Sequence, residues 1–227
     1  MINKIVASAQ AALADLPDGA TVMIGGFGNA GMPSALIDAL IAKGARDLTI
    51  VNNNAGNGDS GLAALIKEKR VRKILCSFPR QTDSWHFDAL YHAKQIELEL
   101  VPQGTLAERI RAAGAGIGAF FTPTAFGTQL AQGKETRHID GRDYVLEYPI
   151  HADFALIKAD RADRWGNLVY RKTARNFAPI MAAAATCTVV QVRETVELGA
   201  LDPEAIVTPG IFVKRVVRVA PSLQKAA

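Results

Sequence analysis

Only two cysteines, Cys76 and Cys187, occur among 227 residues. Neither belongs to a Cys-x-x-Cys pair or lies beside closely spaced histidines, which argues against a disulfide framework and a structural zinc site. His86, His92, His138 and His151 show no metal-ligand spacing. No apolar run approaches the roughly 20 residues of a membrane-spanning helix. The opening MINKIVASAQAALADLPDG interleaves apolar and polar residues and so lacks the continuous apolar core of a secretory signal. Neither charge sign dominates: 26 Lys and Arg against 22 Asp and Glu leave +4 with no long basic tail, so nucleic acid is not implied. The expectation is a cytoplasmic protein with no metal and neither membrane nor nucleic acid as partner.

What is present is core material. Hydrophobic residues make up 49% and charged residues 21% of the chain, enough for one α/β domain of the larger kind spanning residues 1–227. Ile5, Ala9, Ala12, Leu13 and Leu16 recur at helical spacing, followed by the Pro17-Asp18-Gly19 turn and the strand-like TVMI. Pro33 suits the first turn of a helix over SALIDALIAK, with Gly44 at its end, and LTIV from Leu48 reads as a buried strand. The alternation continues with helices around Leu62–Lys69 and Ser84–Ala93 and strands at Val71–Cys76 and from Ile96. It predicts an open, mostly parallel sheet with helices on both faces. Thr105 and Glu108 have capping-box spacing, making Pro102-Gln103-Gly104 a tight strand-to-helix loop. Residues 114–141, rich in Gly, Thr and Pro, read as an irregular excursion. YVLEYPI, DFALIKA, NLVY, TCTVVQV and IFVKRVVRV read as later strands, with a helix over Phe177–Ala185.

Gly26, Gly28 and Gly31 spell G-x-G-x-x-G between strand and helix, the spacing of a dinucleotide fingerprint. The ribose-binding acid expected after the second strand is missing; Asn52, Asn53 and Asn54 stand there. Glycines still let a ligand approach the backbone, and a helix N-terminus favours an anion. A tight turn that binds nothing also accounts for the spacing.

The longer run from Asp18 through Gly25-Gly26-Phe27-Gly28-Asn29-Ala30-Gly31 to Pro33 resembles the first of the two subunits of family I CoA-transferases, the 3-oxoacid CoA-transferases. Asn53-Asn54-Ala55-Gly56, residues 102–111 (PQGTLAERIR) and residues 171–177 (RKTARNF) extend the resemblance over nearly the whole chain. Residues 77–85 (SFPRQTDSW) and 119–124 (AFFTPT) look most like the branch acting on 3-oxoadipate. That resemblance implies CoA exchange between succinyl-CoA and 3-oxoadipate during bacterial breakdown of aromatic compounds. It also implies a partner, the second CoA-transferase subunit, in a heterodimer or heterotetramer.

ATP-independent exchange of CoA needs a group that holds first the acyl group and then CoA, as a carboxylate does. By resemblance that glutamate lies on the partner subunit, and no cofactor is needed beyond the CoA thioester substrate. No glutamate here is assigned as the nucleophile; Glu147, among strand residues, is the one with a prospect of burial. This chain's expected contribution is oxyanion stabilisation by neutral amides. By resemblance Gln103 is the donor, Gly25, Gly26, Phe27, Gly28, Asn29, Ala30 and Gly31 contact CoA or acyl group, and Asn53 and Asn54 line the site. Loop organisation is an alternative role for Gln103, and turn formation for the asparagines. Arg80, Lys172 and Arg175 are candidates for the distal carboxylate of a dicarboxylic substrate. Alternatives are an acetoacetate transferase, an NAD(P)-binding oxidoreductase and a non-catalytic ligand sensor of the same fold.

Overall fold

A computed structural model describes residues 2–219. The first part alternates short strands and helices: β1 (Ile5–Val6), α1 (Ala9–Ala12), β2 (Thr21–Ile24), α2 (Ser34–Lys43), β3 (Leu48–Val51), α3 (Leu62–Lys67), β4 (Val71–Cys76), α4 (Trp85–His92), β5 (Glu97–Leu100) and α5 (Gln103–Gly114). There follow β6 (Phe120–Thr122), β7 (Thr136–Ile139), β8 (Arg142–Glu147), β9 (Ala152–Asp163), β10 (Leu168–Val169), α6 (Ala178–Ala184), β11 (Ala185–Val196) and β12 (Arg215–Arg218).

Nine strands form one sheet in the order β1-β12-β11-β9-β2-β3-β4-β5, with β10 joined antiparallel to β9 and every other pair parallel. Successive residues of a strand point to opposite faces, so both faces must be covered. Val22, Ile24 and Ile50 pack with Leu36 and Leu40 of α2 and Leu65 of α3 on one side. Met23 and Val51 pack with Leu106 and Ile110 of α5 and Met181 of α6 on the other. Gly44 ends α2 in the left-handed conformation, φ +81°, which it adopts without a Cβ clash.

Three local expectations are corrected. Ile5 is not helical: Ile5 and Val6 pair with Val216 and Val217 of the sheet's last strand, and the helix starts only after Ser8, whose hydroxyl accepts the Ala11 N–H at 3.1 Å. The capping box does not form. Pro102 adopts φ −53°, ψ 139° and its carbonyl accepts the Leu106 N–H at 2.8 Å, so α5 begins two residues before Thr105. Thr105 is buried inside the first turn and Glu108 pairs with Arg111 at 2.9 Å. Gln103 is therefore a helical residue rather than a loop residue. Within 114–141, Phe120–Thr122 and Thr136–Ile139 are strands that pair antiparallel with β8, the strand read from YVLEYPI, in a separate three-stranded sheet.

That small sheet is tied to α5 by charge. Arg109 donates to the Tyr148 carbonyl at 2.7 Å and to Glu99 at 3.0 Å, and lies 3.7 Å from buried Glu147, which also takes Lys134 at 2.5 Å. Burial pushes the Glu99 carboxyl up, but hydrogen bonds and charge from Lys73 and Arg109 prevail and hold it below its ordinary value. Its stabilising contribution is thus complete above the unfolded-state pKa, about 4.3, and is lost as pH falls through the lower folded-state value. Glu99→Gln should flatten the acid limb of stability against pH, read by denaturant unfolding at a series of pH values; an unaltered acid limb would contradict this role.

Candidate active site

Parallel strands deliver their C-terminal ends to one edge of the sheet, where doubly wound folds bind ligands. Here the loops after β2, β3 and β4 and the first turn of α5, which follows β5, meet around an open cleft of about 420 Å³. Its lining among the described residues is Phe27, Asn53, Ser77, Phe78, Gln81 and Gln103, two aromatic rings with three amides and a hydroxyl, and no acid or base.

Asn52, Asn53 and Asn54 divide their roles. Asn52 Nδ2 donates to the Ile24 carbonyl at 2.6 Å, and its Oδ1 accepts the Asn54 N–H at 2.9 Å. Asn54 Oδ1 accepts the Gly56 N–H at 2.8 Å, while its Nδ2, buried, has no partner among the described residues. These two shape the turn. Asn53 faces the other way: its Oδ1 accepts from Ser77 Oγ at 2.8 Å and from Gln103 Nε2 at 2.9 Å. A carbonyl oxygen engaged twice fixes the flip of the Asn53 amide, leaving its NH₂ for the cleft, and Gln103 Nε2 retains a second hydrogen. Two amide donors are thereby held side by side, as stabilisation of a developing oxyanion requires.

The glycine loop contributes unevenly. Gly25, Gly26 and Gly31 are buried. Gly25 N–H donates to the Leu156 carbonyl at 2.9 Å and Gly26 N–H to Asn176 Oδ1 at 3.2 Å. Phe27 and Ala30 bond each other's backbones, leaving Gly28 and Asn29 at the turn. Of this loop Phe27 alone lines the amide cleft; Ala30 lines a different cavity of about 750 Å³ beside β9 and β11.

That larger cavity lies where the strand order reverses between β2 and β9, the place a dinucleotide would occupy. Its phosphate end is filled by the protein itself. Gln191 Oε1, from β11, accepts the Ala35 and Leu36 N–H groups at 3.0 and 3.3 Å, occupying the N-terminal amides of α2. Asn176 Nδ2 donates to the Ala30 carbonyl at 2.9 Å. The amides at the start of α2 that would meet a pyrophosphate are thus occupied, which disfavours the oxidoreductase alternative and the expected anion site at this helix.

The candidates for carboxylate recognition also lie elsewhere. Arg80 turns to Asp88 at 2.8 Å, Lys172 lines the larger cavity, and Arg175 lies within electrostatic reach of Tyr170 in that cavity's wall. Burial pushes the Cys76 thiol, beside the cleft, up to about 12, partly offset by the backbone hydrogen bond at Phe78, so it is not a thiolate nucleophile at neutral pH. Buried Glu147 is held by Lys134 and Arg109 away from the cleft. Sequence reasoning did not single out Ser77, Phe78, Gln81 or the loop clamp Asn176. All lie in the segments 77–85 and 171–177, whose resemblance pointed to the region without indicating which side chains turn inward.

A model of the family described as Coenzyme A transferase matches residues 6–219. The corresponding subunit of 3-oxoadipate CoA-transferase from Pseudomonas putida is 67% identical over 230 residues, covering all of both chains. That of succinyl-CoA:3-ketoacid coenzyme A transferase from Xanthomonas campestris pv. campestris is 51% identical, covering 94% of this chain and 88% of that one. Among solved structures, an acyl-CoA transferase from E. coli O157:H7 in a thioester complex with CoA superposes with a TM-score of 0.85 at 25% identity. The match takes in 96% of this chain but 47% of that one, so this chain spans about half of that larger polypeptide.

Proposed function

Because this chain belongs to the coenzyme A transferase family, we propose that it is the non-nucleophilic half of a two-chain enzyme exchanging CoA between succinyl-CoA and 3-oxoadipate. The greater identity to the 3-oxoadipate relative supports that acceptor over acetoacetate. The observation that carries the division of labour is the acid-free lining of the amide cleft: donors for an oxyanion are in place, and the carboxylate that must attack comes from elsewhere. Each relative is by name one subunit of its enzyme, which supports a companion chain as the source.

In this scheme a glutamate on the partner chain attacks the succinyl-CoA carbonyl. The thioester breaks, CoA leaves as thiolate, and a mixed anhydride remains on the glutamate. The thiolate then attacks the glutamyl carbonyl, releasing succinate and leaving a glutamyl-CoA thioester. The acceptor carboxylate enters and the two steps run in reverse, so no net proton or electron is transferred and no cofactor beyond CoA is involved. Each addition places negative charge on a carbonyl oxygen, which Gln103 Nε2 and Asn53 Nδ2 receive as fixed dipoles that need little reorganisation. Phe27 and Phe78 line the same cleft and offer apolar surface to the acyl chain. Free Cys76 and Cys187 suit the reducing cytoplasm.

Purified alone, the chain should not exchange CoA; coexpressed with its partner, it should convert succinyl-CoA and 3-oxoadipate to succinate and 3-oxoadipyl-CoA. Mass spectrometry of the denatured complex after reaction with succinyl-CoA should find the CoA adduct on the partner chain. Turnover by this chain alone, or an adduct on it, would overturn the assignment.

A further inference from the structure

We infer that Gln81 reads the distal carboxylate of the acceptor acid and sets the preference for a dicarboxylate. The inference rests on the transferase reading and goes beyond it by assigning a substrate-selecting residue on this chain.

Both proposed acids carry a second carboxylate that takes no part in the reaction, yet among the described residues no cationic side chain lines the cleft. Asn53 and Gln103 are joined by their own hydrogen bond. The remaining amide in the lining is Gln81, on the loop between β4 and α4. Its orientation is set by a relay. Buried Ser84 shares its one hydroxyl hydrogen between the Gly56 carbonyl at 3.2 Å and Asn57 Oδ1 at 3.4 Å, and accepts the Gln81 N–H at 2.9 Å. Asn57 donates Nδ2 to Gln81 Oε1. The Gln81 carbonyl is thus occupied, and its Nε2, with no partner among the described residues, is left for the cleft. An amide held this way turns its NH₂ donors to the cleft, the complement of a carboxylate and a poor match for the methyl end of a monocarboxylic acid.

The walls suit the rest of such a substrate. Phe27 and Phe78 are 50% and 57% exposed on the cleft, giving apolar surface for a methylene chain between two anionic ends. A neutral donor also fits an exchange in which one dicarboxylate must leave before the next can bind: it selects for the charged end without the stronger hold of a buried ion pair.

The test uses the two-chain enzyme and compares kcat/KM for 3-oxoadipate with that for acetoacetate, succinyl-CoA being the donor in both. A hydrogen bond to a charged group contributes enough that Gln81→Ala should lower the dicarboxylate-to-monocarboxylate ratio about tenfold. The near-isosteric Gln81→Glu, which adds repulsion, should lower it further, and Gln81→Lys should restore or raise it. A ratio that stays at the wild-type value in assembled Gln81→Ala and Gln81→Glu complexes, whatever their total activity, overturns the inference and reduces Gln81 to a loop residue. Wild-type enzyme that fails to use 3-oxoadipate overturns the functional reading itself and this inference with it.

Discussion

Gln103→Ala should lower kcat of the assembled enzyme about 10²- to 10³-fold, the usual loss when one oxyanion donor is removed, and should leave assembly with the partner chain intact. The side chain lies in the first turn of α5 and is exposed, so truncation opens no core cavity. What disappears is a donor that matters most when charge builds on the attacked carbonyl, so kcat should fall far more than KM rises. Asn53 keeps its second anchor, Ser77 Oγ at 2.8 Å, and its own NH₂ sustains a residual rate. Gln103→Glu should do no better, since it retains the size but sets a negative charge against the oxyanion. The check is steady-state kinetics on complexes whose stoichiometry has been confirmed by gel filtration. Unchanged turnover would remove Gln103 from the chemistry.

Gly31→Ala should cause a large loss of stability. Gly31 has φ +76°, and a Cβ there would lie 2.4 Å from the Ala174 carbonyl oxygen and 2.9 Å from Asn176 Nδ2. The left-handed backbone costs an L-residue about 1–2 kcal/mol, and overpacking a closed contact adds about 1–3 kcal/mol. For a chain of this size each kcal/mol shifts Tm by roughly 2–4 °C, so a fall of roughly 4–20 °C follows. Gly28→Ala is the control: its φ is +57°, but nothing lies within 4 Å of the added carbon, so only the backbone cost applies. Equal shifts in the two variants, measured by thermal unfolding, would show that the contact with residues 171–177 does not constrain the glycine loop.

Most of the main sheet was readable from short-range pattern. TVMI, LTIV and Val71–Cys76 are strands at the predicted places, because β-branched and apolar runs bounded by turn residues leave few alternatives. The misreadings occurred where a short signal competed with a partner distant in sequence. Ile5 kept helical spacing with Ala9 and Ala12, yet the edge of β12, some 210 residues on, claimed it for the sheet. Thr105 and Glu108 had the spacing of a cap, but Pro102 started the helix earlier and drew Thr105 into the core.

The candidate site divides along the same line. That ligand-binding loops gather at the C-terminal edge of β2, β3, β4 and β5 follows from alternating strand and helix patterns, since parallel strands joined by crossover helices all end on one side. Which side chains of those loops face the cleft was settled only by packing. Asn52 and Asn54 turn inward to bond neighbouring backbone, while Asn53 turns outward to meet Ser77, 24 residues away, and Gln103, 50 residues away. Amide orientation depends on the atoms opposite each oxygen, and those atoms come from other strands. Residue order therefore carried the chain's family and the edge where the candidate site lies, and long-range hydrogen bonds decided the orientation of Asn53 and Gln103 at that edge.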